Sequence, residues 1–240
     1  MLEKLAKQTA VYGISTIAVR FLSYLLTPVF TRVFEPEAYG IVTDVYALIP
    51  FALVVLTMGL ESAYFRFAAK ADAAAAAAGG TEGEIAAQAR AGKRRLFATA
   101  WGVTLLAASL FFLLTAFGRE RVAEWMGEAY VAHPEYVLLV AAVVWFDVAA
   151  CLPFSRLREQ GRAMTFVGIK ALGVVVNVAL AIGFALAGLY GTPFGVGWVF
   201  VANLIASAVT FNVILLTTDR TVPRIDRGGV SSASAVSRAV

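Results

Sequence analysis

Six apolar blocks govern what this chain can become. They fall at about 8–31, 39–62, 96–117, 136–154, 165–188 and 194–217, each close to the ~20 residues a helix needs to cross a bilayer core. Inside lipid no water reaches the backbone amides, so each block must satisfy them internally. The blocks are therefore predicted as transmembrane helices, and the fold class as an all-α, multi-pass membrane protein. Composition agrees, with 60% of the 240 residues hydrophobic and 15% charged. Soluble domains average about 45–50% apolar and about 25% charged.

The basic residues are divided unevenly among the segments between the blocks. Lys4 and Lys7 precede the first block. Arg66, Lys70, Arg90, Lys93, Arg94 and Arg95 follow the second, and Arg156, Arg158 and Arg162 the fourth. Arg220, Arg224, Arg227 and Arg238 follow the sixth. The opposite loops hold Arg32, Arg119 and Arg121. By the positive-inside rule both termini are expected in the cytoplasm. The net charge of +4 is then assigned to topology and to membrane lipids, and no nucleic-acid partner is expected. The first block is too long for a cleaved leader and carries Arg20, so it is expected to stay as an anchor.

Outside the blocks, residues 70–95 form an alanine-rich cytoplasmic insertion. It reads as a loose helix broken at Gly79-Gly80, or as a disordered stretch. Residues 218–240 are polar, as a tail or linker would be. Cys151 is the only cysteine, which excludes an internal disulfide and a multi-cysteine metal site. His133, the only histidine, lies in a loop, and neither a metal nor a cofactor is expected. The chain has no P-loop, no HExxH and no GxSxG, so it is not expected to be an enzyme.

Polar residues inside the blocks carry the functional signal. On a helical wheel, Thr9, Thr16, Arg20, Ser23, Thr27 and Thr31 fall along one line of the first block. Arg20 stands at the centre of that stripe. A guanidinium at bilayer depth costs at least about 2.5–3.5 kcal/mol by insertion scales, so it is expected to face a cavity or a partner. In the second block Thr43, Pro50, Thr57 and Glu61 share a face, with Asp44 about 100° away. Asp147 lies in the fourth block, Lys170 and Asn177 in the fifth, and Asn203 and Asn212 in the sixth. Gly168, Gly173 and Gly183 are expected to allow close helix approach. For Arg20 two readings stay open: a substrate-path residue, or an ion pair with Asp44, Glu61 or Asp147.

The stretch TAVYGISTIAVRFLSYLLTPVFTRVFEPEAYG resembles the opening of polysaccharide biosynthesis and oligosaccharide flippase proteins. These form the Wzx-type branch of the multidrug/oligosaccharidyl-lipid/polysaccharide exporter superfamily. Thr31 to Gly40 match its turn between helices one and two. Gly59 to Phe67 match a G-hydrophobic-E-[ST]-A-hydrophobic-F-R-F pattern, and LPFSRLREQGRAMTF resembles its hairpin between helices four and five. GVGWVFVANLIASAVT resembles its sixth helix.

The resemblance implies six transmembrane helices forming one lobe of a MATE-like, two-lobe transporter of the bacterial inner membrane. The cargo would be a lipid-linked oligosaccharide on an undecaprenyl pyrophosphate carrier. Arg20 and Lys170 would meet the phosphates, with Thr16, Ser23, Thr27, Asp44, Glu61, Asp147, Asn177 and Asn203 lining or gating the path. A lone lobe supplies half a cavity. A missing C-terminal lobe or a second copy of the chain is therefore expected to complete it. A cation-coupled drug exporter and a non-transporting membrane scaffold are the competing expectations.

Overall fold

The computed structural model describes residues 26–219, which form helices and no strand. In chain order they are α1 (Thr27–Val33), α2 (Pro36–Thr57), α3 (Leu60–Ala78), α4 (Glu82–Phe117), α5 (Arg119–Met126), α6 (Glu128–Val131), α7 (Glu135–Glu159), α8 (Ala163–Leu186) and α9 (Gly197–Asp219), with a 3₁₀ turn at Leu189–Gly191. Among the described residues five helical stretches are long and apolar enough to cross a membrane: α2 with α3, α4, α7, α8 and α9. Of the first predicted block only the end, in α1, belongs to the described residues. Arg20, Thr16 and Ser23 lie outside them.

The second block divides. Pro36 opens α2, at a position where the missing N–H would have no helical partner. The helix ends where Met58 (φ 49°) and Gly59 (φ 68°) both take left-handed backbone. Glycine bears that conformation without strain, whereas methionine does not. The single wheel drawn through Thr43, Thr57 and Glu61 therefore fails at Glu61, which belongs to α3.

The alanine-rich insertion is a helical hairpin. Alanine is the strongest helix former, so α3 runs on to Ala78. Gly79 (φ 72°) and Gly80 (φ 123°) turn the chain. Thr81 and Glu84 then close a capping box: the Glu84 amide donates to Thr81 Oγ1 at 3.4 Å, and the Thr81 amide to Glu84 Oε2 at 2.9 Å. At 1.5 Å per residue the 36-residue α4 is about 54 Å long, well beyond the ~30 Å core of a bilayer. Its first turns stand outside the membrane beside α3.

The hairpin is fastened to α7. Lys93 Nζ lies 2.7 Å from both Asp72 and Glu159. Arg158 donates to Glu61 at 2.8 Å, and the buried Ser155 hydroxyl donates to the same carboxylate oxygen at 2.9 Å. The Arg156 guanidinium covers the Phe97 ring at 4.8 Å. Deeper in, the Trp101 indole donates to the Ala149 carbonyl at 2.9 Å, and Trp145 to Ser109 at 3.1 Å.

α7 is the central helix, with Val144, Val148 and Leu152 buried against α4 and α9. Phe51, Val54, Leu106 and Leu186 project outward, from 70% exposed at Phe51 to 85% at Leu186. A soluble chain hides such surface, while a bilayer covers it. At the end opposite the basic hairpin, the Tyr136 hydroxyl donates to the Phe194 carbonyl at 2.7 Å and Tyr190 to Ala181 at 2.9 Å. The Tyr190 ring also meets Phe34, with centroids 4.9 Å apart.

Candidate functional site

A cavity of about 710 Å³ lies among α1, α2, α7, α8 and α9. That is within the roughly 300–1,000 Å³ of ordinary ligand sites. Its lining follows helical periodicity. α2 contributes Tyr39, Thr43, Tyr46 and Pro50; α8 contributes Lys170, Gly173 and Asn177; α9 contributes Asn203, Ser207 and Thr210. These are neighbours at three- and four-residue intervals, the spacing that keeps side chains on one face. Asp147 enters from α7 and Thr27 from α1.

Five of the expected path residues thus share one space, Thr27, Asp147, Lys170, Asn177 and Asn203, together with Thr43, Pro50 and Gly173. Asp44 and Glu61 do not line it. Asp44 is exposed on another face of α2, next to Thr43 and hence about 100° round the helix. Its charge is felt by Tyr130 on α6, whose hydroxyl burial, with Asp44 second, pushes up to about 12. Glu61 lies past the break at Met58-Gly59 and is held by Arg158 and Ser155, at the basic end of the bundle.

Electrostatically the cavity is sparse. Lys170 is exposed, its Nζ 4.3 Å from the Phe154 ring centroid. Among the described residues no carboxylate reaches ion-pair distance of it. Asp147, half-buried, has the Ser207 side chain beside it and feels the positive charge of Lys170. One cation and one carboxylate therefore face the same space without neutralising each other at contact. The Tyr46 and Asn177 side chains are neighbours across the cavity, one on α2 and the other on α8.

Position 50 has no N–H to offer the Tyr46 carbonyl, because Pro50 interrupts the helical ladder. That leaves a backbone acceptor beside the cavity. Among the described residues, Gly173 fits the expectation of a helix contact: a Cβ there would run into the Thr210 hydroxyl on α9, whereas a Cβ at Gly168 or Gly183 meets none of the described residues.

Tyr39, Tyr46, Ser207 and Thr210 were not singled out from the sequence. Their signal was present as three-and-four spacing with Thr43, Pro50 and Asn203. Tyrosine and serine are common enough in membrane helices that the spacing alone does not separate lining from packing.

Comparison with known proteins gives one match. Residues 5–227 match the family described as Polysaccharide biosynthesis protein. No curated protein and no solved structure matches the chain.

Proposed function

The chain belongs to the polysaccharide biosynthesis protein family, and from that premise we propose that it moves lipid-linked oligosaccharide across the inner membrane. The observation that carries the proposal is the cavity itself, where the Lys170 ammonium, which no carboxylate of the described residues reaches at ion-pair distance, faces a space lined by amides and hydroxyls. A lipid diphosphate needs a cation inside a region of low dielectric, where a charge-assisted hydrogen bond is stronger than in water. Lys170 offers that charge, and Arg20 is the second phosphate candidate, from the polar stripe of the first block.

The basic end of the bundle, with Arg66, Arg94, Arg95 and Arg156, is the cytoplasmic side. A second lobe or a second copy closes the other half of the cavity, and cargo crosses by alternating access around a midplane site. Lys170→Ala and Arg20→Ala should each reduce surface polysaccharide at least about tenfold, the consequence of losing roughly 1.4 kcal/mol or more of phosphate binding. Normal polymer in a strain that accumulates both variants would sink the phosphate role.

One observation favours a second reading. Asp147 lines the same cavity, as an exporter of cationic compounds would require. That reading expects Asp147→Asn, rather than Lys170→Ala, to abolish transport, measured as drug resistance in the producing strain.

A further inference from the structure

We infer that the cavity has two levels, and that the level of Tyr46 and Asn177 is a carbohydrate subsite distinct from the charged level at Lys170. The inference rests on the flippase reading and names where the sugar sits within it.

The levels follow from helix geometry. Lys170 and Asn177 both line the cavity from α8. Seven residues of helix separate them by roughly 10 Å along the axis. α8 runs from the basic end towards the aromatic end, so Asn177 is the farther of the two from the basic hairpin. α2 and α9 run the opposite way. Tyr39, Tyr46 and Asn203 therefore occupy the same far half as Asn177, each within the first half of its helix. Among the described lining residues, Lys170 lies nearer the basic end, while Asp147 of α7 stands near mid-depth beside Ser207.

The chemistry of the far level suits a sugar. A pyranose presents hydroxyls, which both donate and accept, and apolar C–H faces. Asn177 and Asn203 each offer an acceptor oxygen and two donors. Tyr39 and Tyr46 offer aromatic faces with a polar tip. Tyr46 and Asn177 face the cavity together from α2 and α8. A sugar hydroxyl set between them can donate to one and accept from the other, which avoids the penalty of an orphaned polar group. A diphosphate gains little at this level and most at Lys170. The separation also fits the cargo, since the sugar is joined directly to the outer phosphate.

The test uses the full chain in lipid nanodiscs with three defined probes: farnesyl diphosphate, and the same lipid carrying N-acetylglucosamine or galactose. Equilibrium binding is read by thermophoresis. The wild-type chain should hold at least one sugar-bearing probe about tenfold more tightly than the bare diphosphate, the discrimination expected when a site built to hydrogen-bond a substrate hydroxyl is filled. Asn177→Ala should bring that ratio close to one while bare diphosphate affinity stays. Tyr46→Phe, which keeps the ring and removes one hydroxyl, should do the same in part and guards against a folding defect. Lys170→Ala should weaken all probes alike and preserve the ratio. Equal wild-type affinity for bare and sugar-bearing probes, or a ratio untouched by both far-level variants, overturns the subsite. Failure of every probe to bind the wild-type chain overturns the flippase reading beneath it.

Discussion

Gly173 shows how one missing side chain positions a site. Its backbone on α8 faces Thr210 on α9, and an added Cβ would collide with the Thr210 hydroxyl. Both residues line the cavity, so the distance between these helices also sets its width. Gly173→Ala should destabilise the protein by about 1–3 kcal/mol, the usual cost of overpacking. Thr210→Ala removes the obstructing hydroxyl, and in that background the cost should fall by ~1 kcal/mol or more, as contacting sites couple. The double-mutant cycle is read from unfolding midpoints in mixed micelles. Additive effects would mean that the two helices already have room to spare. The Glu61–Arg158 pair is a different kind of contact. With side chains 40% and 34% exposed, it contributes no more than about 1 kcal/mol by charge. Its value is geometric, tying α3 to α7 next to the break.

At the level of elements, two interruptions shape the molecule. The first, Met58-Gly59, ends the cavity-lining α2 and starts the hairpin that is pinned to α7. No residue from Pro50 to Ala63 is fully buried, so backbone conformation has more say here than packing. Gly59→Ala, forced into left-handed backbone, should lower stability by about 1 kcal/mol. Met58→Gly should leave it unchanged or raise it, as an unfolding titration of both variants would show. The second interruption is the Gly79-Gly80 turn with its Thr81–Glu84 box. Here the hairpin is exposed to water and the cap is local. Thr81→Ala should loosen the first turn of α4 by about 1 kcal/mol, visible as faster amide exchange from 81 to 90. The global midpoint should hold, because Lys93 with Asp72 and Glu159 fastens the hairpin below that turn.

For the whole molecule, the question is which end faces which compartment. The hairpin, the Arg158 cluster and Lys93 share one end; Arg119, Tyr130 and Tyr190 share the other. The charge imbalance between the two leads to the expectation that the basic end faces the cytoplasm. Single cysteines in a Cys151→Ala background report it directly. Cysteine in place of Glu82 should resist a membrane-impermeant maleimide in intact cells and react after lysis. Cysteine in place of Glu128 should react in both. The reverse pattern would invert the topology and move the carbohydrate level to the cytoplasmic side.

Much of this architecture is legible in residue order, because the bilayer imposes simple rules. Apolar runs of about 20 residues must be helices, and α4, α7, α8 and α9 lie where such runs occur. Charge imbalance between loops yields an expected orientation for them, and the turn at Pro36 is written in local propensity. Family motifs in the right order led to the polysaccharide biosynthesis proteins, and the match over residues 5–227 agrees. Tertiary structure alone decided which polar faces meet. A helical wheel gives angles within one helix and no orientation between helices, so it grouped Glu61 with Thr43 and left Asp44 a candidate. The left-handed residues at 58 and 59 separated the first pair. The rotation of α2 then turned Asp44 away and brought Tyr46 to Asn177, a contact between residues too far apart in the chain for any local rule to relate.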